Sequence, residues 1–134
     1  MADRRGISGK AQGRLGHPQG TVPFVYQVAM TASNSPQALG PQQLEFPIRV
    51  ILAWGIMTGA GAAADSVVIN KVSGGTTSAI TNTADVSAFS DTDQFDFSQI
   101  NDANYRCAKG DRLSVTTVSG ALCQVYALCV RVGD

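Results

Sequence analysis

Hydrophobic and polar positions alternate along most of this chain, and the alternation has a period of two rather than 3.6. Residues 22–32 (VPFVYQVAMTA) are rich in β-formers, with Pro23 marking the start of a strand or a sheet edge. Residues 33–43 (SNSPQALGPQQ) form a turn cluster. A long strand is expected over residues 44–58, with Phe46, Ile48, Val50, Leu52, Trp54 and Ile56 on one face and Ile51, Ala53 and Met57 on the other. Both faces are apolar, which fits a central strand or one that also forms an interface. Trp54 on such a strand is expected in the core, with a sugar-binding platform as the competing role.

After the small-residue loop at 59–65, the runs SVVINKV and TTSAIT flank Ser73-Gly74-Gly75 and predict a hairpin. Residues 82–90 read as loop, and Phe95, Phe97 and Ile100 supply a short strand and its exit. Lys109-Gly110-Asp111 turns into RLSVTTV, and Ser119-Gly120 turns into a last strand over 122–132. On that strand Leu122, Tyr126, Leu128, Val130 and Val132 share one face, interrupted by Gln124. Cys123, Val125, Ala127 and Cys129 share the other. Such a strand belongs in the middle of a sheet, with one side in the core and the other available to a subunit contact. The expected class is therefore all-β: an antiparallel β-sandwich or jelly roll of seven or eight strands, with a closed barrel as the rival architecture.

The first 21 residues have a different texture. They hold Gly6, Gly9, Gly13, Gly16 and Gly20, with few large aliphatic side chains, and cannot bury enough apolar surface to offset their own ordering entropy. Residues 1–21 are read as an extended basic arm and 22–134 as the β-sandwich domain. Fully extended, such an arm reaches about 70 Å.

Composition sharpens this picture. Charged residues make up 15% of the 134-residue chain and hydrophobic ones 44%, so part of the surface is expected to be covered by other chains, a Ser/Thr-rich surface being the plainer alternative. Formal net charge is zero, yet Arg4, Arg5, Lys10 and Arg14 crowd the arm against Asp3 alone, leaving an acidic body. The arm's charges are sparse and no aromatic residue interleaves with them, which points to a protein groove rather than nucleic acid. Phe24 and Tyr26, next to the arm, are candidate contact residues, with core packing as the competing role.

Chemistry is scarce. His17 is the only histidine and lies in the arm, while Glu45 is the only glutamate, so no Ser-His-Asp or Cys-His set is expected. Asp85, Asp91, Asp93, Asp96 and Asp102 form an acidic stretch in which Asp91, Asp93 and Asp96 could present oxygens to calcium or dock a basic partner, act as paired carboxylates on a glycoside, or simply close turns; the central glycine and terminal glutamate of an EF-hand are missing, and no aromatic-lined cleft is announced. The three cysteines, Cys107, Cys123 and Cys129, do not form a closed set of bridges. Cys123 and Cys129, six apart on one strand, would stand about 20 Å from each other. They read as small buried hydrophobes of a protein made in a reducing cytoplasm, with no cofactor or metal expected. No apolar stretch reads as a secretory signal or a membrane span.

The strand introduced by Phe46-Pro47, the hairpin SVVINKVSGGTTSAIT, the run FDFSQINDANYRCAKGDRLSV and the closing VYALCVRV together resemble the decoration or cement (head-auxiliary) proteins of tailed-bacteriophage capsids, over roughly residues 44–132. The same texture is shared with trimeric phage fibre heads and tumour-necrosis-factor-like jelly rolls. The resemblance implies a non-enzymatic virion protein that binds the capsid exterior across subunit seams, with the major capsid protein and neighbouring copies of itself as partners, as a homo-oligomer on the shell. It implies no direct contact with nucleic acid or membrane. The arm would then be a clamp, with Arg4, Arg5, Lys10 and Arg14 pairing with capsid carboxylates. The alternative is a fibre or spike head, or a carbohydrate-binding module.

Overall fold

The structure is a computed structural model and describes residues 22–101 and 105–133. The proposed arm, with Arg4, Arg5, Lys10, Arg14 and His17, lies outside the described residues, as does Asp102.

Ten strands are present among the described residues: β1 (Phe24–Met30), β2 (Gln37–Ala38), β3 (Ile48–Met57), β4 (Ser66–Ser73), β5 (Thr76–Ala79), β6 (Ala84–Asp85), β7 (Gln94–Asp96), β8 (Arg106–Cys107), β9 (Arg112–Val118) and β10 (Cys123–Arg131). Seven of them are three residues or longer, matching the expected seven or eight, and three are two-residue bridges. They form two antiparallel sheets. Sheet I runs β1-β10-β3-β7, with β8 on the same side of β3 as β7; sheet II runs β2-β9-β4-β5, with β6 also against β4. The class is the β-sandwich that the alternation implies.

Both sheets bury one face. Sheet I contributes Met30, Ile48, Val50, Ala53, Met57, Val125, Ala127 and the cysteines Cys123 and Cys129, and sheet II contributes Val67, Ile69, Leu113 and Val115. Leu39, Leu44, Ile80 and Val86 close the open sides from loops. Small residues on sheet I make room for rings. A Cβ on Gly55 would run into Phe95, which packs edge-on against Phe89 and Phe97.

The turns form where the sequence demands them. Gly74 and Gly75 both have positive φ (58° and 87°), the backbone of a two-residue type I′ hairpin between β4 and β5. The turn before β9 is closed by Asp111, whose carboxylate accepts from the Ala108 N–H at 2.8 Å.

One expectation fails on β3. Against β10 the register runs Leu52↔Leu128 and then Val50↔Cys129, so Ile51 is an extra residue in a β-bulge. The bulge reverses the side-chain alternation: Ile48 and Val50 point into the core, then Ala53, Gly55 and Met57 do. Leu52, Trp54 and Ile56 therefore face outward with Ile51, not into the core with Ile48 and Val50.

Candidate interaction surfaces

Sheet I's outward face follows directly from that bulge. Cross-strand pairing sets it out in three rows over β1, β10 and β3: Val25, Leu128 and Leu52; Gln27, Tyr126 and Trp54; Ala29, Gln124 and Ile56. Val25, Ile51, Leu52, Ile56 and Leu122 are all exposed; Leu52 is 49% accessible. Trp54 and Tyr126 stack across the strands, with ring centroids 5.5 Å apart and planes 12° from parallel. The Tyr126 hydroxyl donates to Gln124 Oε1 at 2.6 Å. No charged side chain falls within the three rows; Asp96 lies beside Trp54 on β7, at the sheet's edge. A contiguous apolar patch of this kind is unusual on a surface meant to stay in water.

Charge is separated along the strands. All six described lysines and arginines gather at one end of the sandwich. Arg49 and Arg131 lie there at the start of β3 and the end of β10, and Arg106 pairs with Arg49. Lys71, near the end of β4, donates to the Arg106 carbonyl at 3.2 Å, and Lys109 and Arg112 come from the adjoining turn and the start of β9. Glu45 and Asp111 are the carboxylates at this end. Arg131 lies over the Phe46 ring, 4.9 Å from its centroid, and that ring packs edge-on against Phe24. β1 also begins at this end, where Phe24 pairs with Cys129.

Toward the opposite end lie Asp65, Asp85, Asp91, Asp93 and Asp96, with no described cation among them. Three of them close turns. Asp93 accepts from the Ser90 N–H at 2.8 Å, and Asp85 accepts from the Ser87 N–H and hydroxyl, contacts that hold its carboxyl below the ordinary value. Asp65 is buried and accepts from the Ala62 N–H at 2.8 Å.

The residues singled out in the sequence fall into separate places. Phe24 and Tyr26 occupy the inward side of β1, half-buried against the core, with Gly40 against the Tyr26 ring. Asp91 and Asp93 sit in the turn before β7, and Asp96 accepts from the Gln94 amide at 3.4 Å. Among the described residues, no three His, Cys, Asp or Glu side chains are grouped so as to hold a metal. The three cysteines are free and buried, in the place of the small buried hydrophobes they were read as. Sequence reasoning missed the outward Trp54 because it assumed an unbroken alternation. It missed the cationic end because the six residues, scattered from 49 to 131, are united only by the fold.

No family model matches the chain, and no curated protein matches it. One solved structure aligns with it, that of the infectious bursal disease virus Gx strain, at 11% identity and a TM-score of 0.40 over 84% of this chain. The alignment spans 33% of that viral chain, about a third of its length, and carries no weight for fold or role.

Proposed function

We propose that this protein is a structural component of a virion, docking on the outside of a bacteriophage capsid through the cationic end of its sandwich and the adjoining arm. The observation that carries this reading is the convergence of all six described cations on the end of the sandwich where β1 begins. Arg4, Arg5, Lys10 and Arg14 add four more at that end of the chain. Singly, exposed ion pairs contribute about 0–1 kcal/mol, but a cluster engaging the carboxylates of adjacent capsid subunits acts as a multivalent contact.

The test is co-sedimentation of the full chain with purified capsids over a range of salt. Binding is expected to weaken steeply as salt rises, and to fall for Arg106→Glu with Lys109→Glu and for the chain lacking residues 1–21. Salt-insensitive binding, or undiminished binding by both variants, rejects the reading.

A second reading, a fibre head or carbohydrate-binding module, draws support from the outward Trp54–Tyr126 stack. It requires glycan binding that Trp54→Ala abolishes, scored on a glycan array.

A further inference from the structure

The outward face of sheet I is a broad apolar surface without a partner among the described residues. Three of its properties limit what can cover it. Its three rows carry no charge, so neither nucleic acid nor an acidic peptide finds anything there to pair with. Residues 1–21 offer Met1, Ile7 and Leu15 as their only large apolar side chains, too few to cap five exposed large hydrophobics together with the Trp54–Tyr126 stack. The face carries Val25, Ile51, Leu52, Ile56 and Leu122, five of the seven exposed large hydrophobics among the described residues.

We infer that this face packs against the same face of a second copy, about a two-fold axis that lies in the interface and crosses the strands. That arrangement is isologous, so each patch is its own complement. Two sheets stacked in this way pack about 10 Å apart, with their strands inclined by about 30°. Charge separation selects the direction of the strands. With the copies antiparallel, the Arg49–Arg106 end of each lies beside the aspartate end of the other; with the copies parallel, like charges meet. Asp96 faces its counterpart only at the sheet's edge, where the inclined sheets diverge and water screens the pair. The Tyr126 hydroxyl is already satisfied by Gln124, so burying it leaves no hydroxyl donor without a partner.

The geometry fixes which side chains meet. The middle row (Gln27, Tyr126, Trp54) lies on the axis and contacts itself, while Leu52 of one copy opposes Ile56 of the other. This goes beyond the docking reading and stands or falls separately from it.

The test is the mass of the full chain by sedimentation equilibrium at micromolar concentration. Wild type is expected as a dimer. Leu52→Lys and Ile56→Glu, each at an exposed position that leaves the core intact, are each expected to weaken the dimer by about thirtyfold or more, as charge at a central contact does. The double variant Leu52→Lys/Ile56→Glu places Lys opposite Glu twice and is expected to dimerise again, now in a salt-sensitive way. Circular dichroism confirms that each variant is folded. A monomeric wild type, a dimer indifferent to both single changes, or a double variant that stays monomeric overturns the inference. Capsid binding by the wild type and by Arg106→Glu with Lys109→Glu is scored independently, so a wild type that is monomeric yet binds capsids sinks the dimer alone, and a dimer that ignores them sinks the docking reading alone.

Discussion

The two sheets bury similar inner faces and present opposite outer ones. On sheet II the outward positions of β4 and β9 are Ser66, Val68, Asn70 and Val72 beside Arg112, Ser114, Thr116 and Val118, and Asn70 donates to the Thr116 hydroxyl at 3.2 Å. On sheet I the corresponding positions are Leu52, Trp54 and Ile56 beside Gln124, Tyr126 and Leu128. Sheet II shows the apolar-in, polar-out pattern of a sheet with one face in water. Sheet I is apolar on both faces, though only one of them is needed to build the sandwich. What a fold does not require, an association does: the surplus lies where another chain would bury it.

Substitution at equivalent positions tests this contrast. Inside, the two sheets should behave alike. Leu113→Ala on β9 removes a fully buried side chain facing the core and is expected to cost about 3 kcal/mol of unfolding free energy, read from urea denaturation. A loss near zero would mean that sheet II does not pack as described. Gly55→Ala on β3 comes next, because the new methyl meets the Phe95 ring, itself held between Phe89 and Phe97. Overpacking of this kind costs about 1–3 kcal/mol. Phe95→Leu in the Gly55→Ala background, by vacating the ring's volume, should recover part of the loss; no recovery would place the strain elsewhere.

Outside, the sheets should diverge. Trp54→Ala is expected to destabilise the monomer by about 1 kcal/mol through loss of the Tyr126 stack, and to weaken self-association far more. Thr116→Ala, on the polar outer face of sheet II, should stay within about 0.5 kcal/mol and leave association untouched. If the two substitutions have equal effects on association, the distinction between the faces is lost.

How far the sequence displayed this contrast depends on the element. Sheet II was legible because RLSVTTV and SVVINKV are runs of β-formers bounded by turn residues, and Gly74-Gly75 can be little other than a tight hairpin. On β10, Cys123, Val125, Ala127 and Cys129 were correctly grouped, although periodicity alone does not say which face of an all-apolar strand turns inward. On β3 the reading broke at Ile51. A bulge shifts every later side chain to the opposite face, yet it leaves no mark in a run of aliphatic residues, since Ile51 and Leu52 are equally acceptable on either side. The bridges β2, β6 and β8 are too short to carry a period. The cationic end was illegible for another reason: Arg49, Lys71, Arg106, Lys109, Arg112 and Arg131 come from both sheets and are gathered by topology, not by spacing.

The smallest expected effect separates the inner faces after all. All three thiols belong to sheet I, on β8 and β10, and sheet II has none. Burial pushes Cys107 and Cys129 up to about 12 and Cys123 up to about 11, from an ordinary value of 9.0. Because the folded values are raised, the protonated thiol is the form the fold prefers. Its contribution is complete below the unfolded value and is lost as pH climbs from about 9 toward 11–12. Between pH 7 and pH 9 each thiol should therefore give up about 0.4 kcal/mol of stability. Cys129→Ala, which keeps a small apolar side chain between the sheets, should reduce the pH dependence of the unfolding free energy, read from urea denaturation, by that amount. A slope identical to wild type would show that the Cys129 thiol ionises as freely in the fold as out of it, and sheet I would then not be sealed along β10.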